Sequence, residues 1–177
     1  MTLAGNRVLV FVDDGYEELE FWYPRLRLAE EGAVVSVAAA EKTTYHGKYG
    51  YPVKADLAYA EIDPSAYDAV VIPGGRAPDR IRRHPTALAV VRDMARSRKV
   101  VAAVCHGPHV LISAGVLRGV RATSFSSIKD DVVNAGAQYA DEPVVVDGNI
   151  ITSRKPADLP AFARAIVAAL GGERPNS

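Results

Sequence analysis

Hydrophobic residues in this chain gather into short unbroken runs, and the runs alternate with stretches that repeat on a helical period. Arg7-Val8-Leu9-Val10-Phe11-Val12, Asp68-Ala69-Val70-Val71-Ile72 and Val100-Val101-Ala102-Ala103-Val104 lack the polar alternation of a strand with one wet face. They read as strands buried on both sides of a parallel sheet. A helix is expected from around Glu17 to Glu31, stopped by Gly32, then a strand over Val34 to Ala40, and a further helix over Thr86 to Arg98. Strands and helices in this order make a doubly wound α/β fold with a mostly parallel sheet sandwiched by helices. Between Tyr45 and Ala60, Gly47, Gly50 and Pro52 punctuate short alternating segments, which predicts a small β-hairpin excursion. Its Tyr45, Tyr49, Tyr51 and Tyr59 suit either a partner subunit or the core. Val144 to Ile151 reads as a late hairpin turning at Asp147-Gly148, Pro156 to Leu170 as a final amphipathic helix, and Gly171 to Ser177 as a frayed tail.

Length and composition narrow the partners. With 177 residues, 49% of them hydrophobic, one domain with its core over about residues 7–170 is expected. Lys plus Arg and Asp plus Glu both number 21, so no overall basic field attracts nucleic acid or an anionic membrane. The first residues lack the apolar stretch of a secretory signal and no run is long enough for a bilayer, which places the chain in the cytoplasm by expectation. Cys105 is the single cysteine, so an intrachain disulfide is excluded and the thiol stays free for chemistry. The four histidines, at 46, 84, 106 and 109, form no cluster with metal-ligand spacing, and neither metal nor cofactor is expected.

The chemistry centres on Cys105, where the buried run ending at Val104 meets His106-Gly107-Pro108 and a short helix closed by Gly115. Small residues at Ala103 and Gly107 allow a sharp strand-to-helix elbow that pushes the thiol out at the carboxyl edge of the sheet. There the sulfur faces the first free N–H groups of a helix, which favours thiolate. Loops after the first, middle and Cys105 strands converge at that edge. The middle loop, Pro73-Gly74-Gly75-Arg76-Ala77-Pro78-Asp79, offers Gly74, Gly75 and Arg76 as substrate or oxyanion contacts. It lacks the Gly-Lys-Ser/Thr of a phosphate loop, and the acidic loop after the first strand repels a flavin phosphate, so nucleotide and flavin binding are disfavoured. Asp13 or Asp14 reads as the helix N-cap, and Glu18 as a first-turn acid that answers the helix dipole. His106 serves as a base if the elbow turns its ring back, whereas His109, one turn into the helix, reads as structural.

Several longer stretches carry a resemblance. They are Gly15-Tyr16-Glu17-Glu18-Leu19-Glu20, Gly47-Lys48-Tyr49-Gly50, Pro73 to Pro78, Ala103 to Pro108 with Leu111 to Gly119, Ile128-Lys129-Asp130-Asp131 with Asn134-Ala135-Gly136, and Pro156-Ala157-Asp158. From Arg7 to Leu170 the chain resembles the DJ/ThiJ/PfpI superfamily, in its branch of PfpI-like intracellular peptidases and general stress proteins. The resemblance implies a flavodoxin-like sandwich, a catalytic Cys105 beside His106, and a carboxylic acid, Glu17, over the sulfur. It also implies a homo-oligomer, dimeric at least and hexameric in the archetypal peptidases. In those peptidases a glutamate lent by a neighbouring subunit completes the triad, and its match here is Asp79, one methylene shorter. A tyrosine near their cysteine matches Phe125, which lacks the hydroxyl.

The favoured function is a stress-protective, cysteine-dependent enzyme acting on reactive carbonyls or glycated protein, in the manner of a deglycase or glyoxalase. It does not need a glutamate at position 79. A Cys105-His106-Asp79 peptidase across a subunit interface is the first alternative. A non-enzymatic stress protein oxidised at Cys105 is the second.

Overall fold

The structure, a computed structural model, describes residues 2–171. Its seven-stranded sheet is built around the three apolar runs. Strand β1 (Arg7–Phe11) lies between β2 (Val34–Ala39) and β6 (Ala69–Ile72), and β6 pairs in turn with β7 (Val100–Val104), all parallel. Val8 to Phe11, Ala69 to Ile72 and Val101 to Val104 are solvent-free. That is why these strands carry no polar alternation.

The remaining strands are β3 (Thr44–His46), β4 (Pro52–Lys54), β5 (Leu57–Ala58), β8 (Arg121–Ala122), β9 (Gln138–Tyr139), β10 (Val144–Asp147) and β11 (Ile150–Ser153). The central sheet runs β10-β11-β7-β6-β1-β2-β5, parallel except for β10. The helices are α1 (Glu18–Glu30), α2 (Ala77–Ile81), α3 (Pro85–Arg96), α4 (Pro108–Ala114), α5 (Lys129–Asn134) and α6 (Leu159–Gly171).

The hairpin excursion is present as β3 and β4, paired at Tyr45 and Val53, but β5 returns to the edge of the main sheet. Its tyrosines divide: Tyr45 and Tyr59 are buried in the core, while Tyr49 and Tyr51 are exposed. The late hairpin turns at Gly148-Asn149, because Asp147 is still paired with Ile150. Helix α6 takes in Gly171, and the rest of the expected tail lies outside the described residues. The short α2, α5 and the β8–β9 pair have too little periodicity to be read from sequence. Among the described residues no helix is long and apolar enough to cross a membrane.

Candidate active site

Cys105 leaves β7 with φ +62°, in the left-handed region that disfavours side chains bearing Cβ. The surrounding bonds impose this. Its N–H donates to the Ser153 carbonyl at 3.0 Å, its carbonyl accepts from Phe125 N at 2.9 Å, and Gly107 N donates to the Val104 carbonyl at 2.8 Å. Gly107 is a requirement of space, since a Cβ there would stand 2.5 Å from the Ile72 carbonyl oxygen. The elbow therefore stores strain on the order of 1–3 kcal/mol to present one sulfur atom.

The backbone N–H groups of Gly75 and His106 lie near enough to that sulfur to favour its thiolate. Gly75 is placed by a positive φ of 77°, held by a bridge to Tyr16. Gly74, expected beside Gly75 as an oxyanion contact, points its N–H elsewhere. Its N–H is spent on the Glu20 carboxylate at 2.8 Å. Arg76 is fixed by its own N–H to the Gly15 carbonyl at 2.8 Å, and its side chain sits at the exposed rim.

The acid against the sulfur is Glu20, and this corrects the expectation of Glu17. Glu17 is the N-cap of α1, and its Oε2 accepts from Glu20 N at 2.8 Å. Capping at Glu17 makes Glu20 the third residue of the helix, on the same buried stripe as Phe21, Pro24 and Leu28. A signal was thus present in the sequence: an acid on the apolar face of a helix. Glu18 lies in the first turn as expected, but the N-cap is Glu17 and not Asp13 or Asp14. Asp14 accepts from His46 N at 2.9 Å and Glu18 from Tyr49 N at 2.6 Å, so these two carboxylates fasten the excursion to the site. Asp13 accepts from Asp14 N at 2.7 Å and faces His84.

Glu20 is 0% exposed. Burial, reinforced by the neighbouring Glu17 charge, pushes its pKa up to about 7. For Cys105, burial and then the Glu20 charge push the thiol up to about 12, against the lowering pull of the Gly75 and His106 N–H groups. The helix N-terminus therefore does not set this thiol, as the sequence had suggested. Glu20 and Cys105 instead face each other as a coupled acid–thiol pair. When Glu20 holds a proton, the charge that opposes the thiolate is gone. The buried Glu20 Oε1 has no hydrogen-bond partner, so a proton there is free to serve a group bound at the sulfur.

On the opposite flank the His106 ring turns back, with Nδ1 3.2 Å from the sulfur. Its Nε2 lies 3.2 Å from Ser127 Oγ, and its face stacks on Phe125 with centroids 5.3 Å apart. Sequence reasoning missed Ser127, which sits in a single-turn 3-10 segment with no periodic pattern. A hydroxyl both donates and accepts, so Ser127 supports either ring tautomer. Burial lowers the His106 pKa, which leaves a neutral imidazole able to accept a proton near pH 7. Asp79 lies exposed on α2 and makes no hydrogen bond to His106 within the chain. His109 sits 3.7 Å from Asp131 and 6.0 Å, ring to ring, from His106.

Cys105 lies in an open cleft of about 1540 Å³ whose walls include Trp22, Leu26, Tyr49, Tyr51 and Phe125. A doubly wound sheet with an elbow cysteine, two converging N–H groups and a buried acid defines a cysteine-nucleophile α/β protein. Residues 6–169 match the DJ-1/PfpI family, and the chain belongs to it. It is 49% identical over 161 residues to "Deglycase PH1704" of Pyrococcus horikoshii, covering 91% of this chain and 97% of that one. It is 40% identical over 160 residues to "Putative cysteine protease YraA" of Bacillus subtilis, covering 90% and 95%. Among solved structures, a two-domain protein of Anabaena variabilis with DJ-1/ThiJ/PfpI-like and ferritin-like domains superimposes with TM-score 0.93 at 42% identity. That match covers 97% of this chain and 52% of the larger one.

Proposed function

We propose that this chain is a cysteine-dependent enzyme of deglycase type that acts on reactive carbonyls and their early adducts on proteins. The observation that carries this reading is the buried Glu20 against Cys105, with the Gly75 and His106 N–H groups on the same sulfur. An aldehyde carbon held there meets a nucleophile, an oxyanion pocket and a proton donor together.

For methylglyoxal the steps balance without an oxidant or reductant. The Cys105 sulfur bonds to the aldehyde carbon, the carbonyl π pair moves to oxygen, and that oxygen takes the Glu20 proton. Neutral His106 removes the hydrogen of the same carbon, the electron pair moves to the neighbouring carbonyl oxygen to give an enediolate, and the first carbon's hydroxyl proton passes to that oxygen. A proton returned to the neighbouring carbon produces a lactyl thioester on Cys105, and water cleaves it to lactate and free thiol. On a glycated side chain the same capture draws the carbonyl carbon to Cys105 and releases the amine or thiol. The similarity to the Pyrococcus horikoshii deglycase supports this assignment.

Peptide hydrolysis is the second reading, favoured by His106 Nδ1 at 3.2 Å from the sulfur. It calls on Asp79 of another copy to reach His106 Nε2, where Ser127 now stands, and Phe125 brings no hydroxyl to help. We place the enzyme in the cytoplasm, acting as one domain and as a homo-oligomer. The exposed apolar side chains of Leu19, Leu26 and Tyr49 support a self-contact beside the cleft. Chiral detection of lactate from methylglyoxal, with chelator present and glutathione absent, is expected to be positive for the protein and null for Cys105→Ala. Equal lactate from both overturns the assignment.

A further inference from the structure

His106 separates two spaces. Behind it, away from the main cleft, a recess of about 490 Å³ is lined by Gly75, Arg76, Asp79, Arg80, Arg83, His106 and His109. Arg76 precedes α2, Arg80 lies within it and Arg83 follows in the turn closed by Arg83 N to the Arg80 carbonyl at 3.1 Å. Spacings of four and three residues bring these arginines to one side of the turn. Among the described residues none of the three forms an ion pair. Asp79 is the single carboxylate in the wall. Asp13 acts on Arg80 from outside it, and Asp131 acts on His109 across 3.7 Å. Arg82, which donates to Ser113 Oγ at 2.9 Å, adds positive charge near His109. The recess is thus strongly cationic, and it shares Gly75, Arg76 and His106 with the catalytic cleft.

We propose that this recess holds the phosphomonoester group of the carbonyl substrate, so that the enzyme prefers phosphorylated α-oxoaldehydes and the adducts they leave. The proposal rests on the carbonyl reading above for the reacting end of the substrate, and on the arginine recess alone for the charged end. Guanidinium groups converging on a dianion give forked, charge-assisted hydrogen bonds that a neutral substrate cannot use. The two spaces adjoin at Gly75, Arg76 and His106, so a substrate with its aldehyde at Cys105 carries its phosphate past the edge of His106. A bound dianion also faces His106 and His109, so it raises the pKa of both rings.

The first test is a titration with inorganic phosphate against chloride at constant ionic strength, following the imidazole signals of His106 and His109 by NMR. Saturable movement of both is expected in the wild type and is lost in Arg80→Gln/Arg83→Gln, whose exposed side chains spare the core. The second test compares kcat/KM for the phosphate ester of hydroxypyruvaldehyde with that for methylglyoxal. The ratio is expected to exceed about ten in the wild type and to fall about tenfold in the double variant, each tenfold being 1.4 kcal/mol. Saturable phosphate binding without turnover of either aldehyde would support the recess while removing the carbonyl reading. Turnover of methylglyoxal without any phosphate-specific shift overturns the proposal. A double variant that loses subunit mass by sedimentation, in a protein blind to phosphate, overturns it as well and gives the arginines to the carboxylates of a second copy.

Discussion

The two flanks of Cys105 are built in opposite ways. On one side Glu20 is enclosed, with Oε2 bound to Gly74 N and no exposed surface. On the other, His106 is only partly buried and rests on the exposed Phe125 and Ser127. The enclosed side fixes where the proton is, because a carboxylate without water gains little from ionising. The open side leaves room for a substrate and lets a neutral imidazole move protons. Chemistry that needs a positioned acid and a mobile base divides the work along this line.

Removing the enclosed acid has the largest expected effect. Glu20→Gln keeps the shape and removes the proton relay, so kcat/KM should fall by about 10²-fold or more, in the range of general acid–base catalysis. Glu17→Gln, which removes a neighbouring charge but keeps an oxygen to accept from Glu20 N, should cost much less, and a larger loss at Glu17 reverses the assignment. The pH profile sharpens the contrast. Wild-type kcat/KM should rise through about pH 7 as the coupled pair loses its first proton, and in Glu20→Gln that inflection should move to higher pH.

Gly74→Ala attacks the same flank by crowding. A Cβ on Gly74 would lie 2.3 Å from Glu20 Oε2 and 3.0 Å from the Cys105 sulfur. Neither neighbour has space to retreat, so a loss of about 1–3 kcal/mol in stability is expected by thermal unfolding, with activity falling alongside. Unchanged stability and turnover would mean that Glu20 and Cys105 move apart freely on this flank.

Stability itself carries the signature of Glu20. Its folded-state pKa near 7 lies above the ordinary 4.5 because burial penalises the charge. The stability it contributes is therefore complete below about pH 4.5 and is lost as pH rises through about 7. Urea unfolding should show a decline of up to roughly 3 kcal/mol across that window, and Glu20→Gln should flatten it. A wild-type curve of the same slope as the variant would show that Glu20 ionises freely.

The same contrast explains what could be read from the chain. Strands β1, β6 and β7 were visible because burial on both faces writes an unbroken apolar run, and the cysteine elbow because glycine and proline follow that run at once. Glu20 was not picked out among several nearby acids. The choice depends on which residue caps the helix, and a shift of one position turns a buried side chain outward. Its place on the stripe with Phe21, Pro24 and Leu28 is the physical signal that separates it from Glu17. Gly74 and Gly75 look interchangeable in sequence, yet one N–H serves the acid and the other the sulfur. Ser127 has no such signal, since its position follows from a loop that returns to the site over long range.

The smallest expected effect falls on the open flank, and it decides which group orients the imidazole. Ser127→Ala removes one hydrogen bond to His106 Nε2. A net value of about 1 kcal/mol translates into roughly a fivefold loss in kcat, with KM little changed. A structural role alone would not move the pH profile. Loss of the Ser127 bond should shift the limb that reports His106 in Ser127→Ala, while Ser127→Thr should restore it. Asp79→Asn should leave both limbs in place if the hydroxyl is the working partner. A profile that responds to Asp79 and ignores Ser127 would transfer that nitrogen to a carboxylate from a second copy, and the peptidase reading would gain the triad it lacks within one chain.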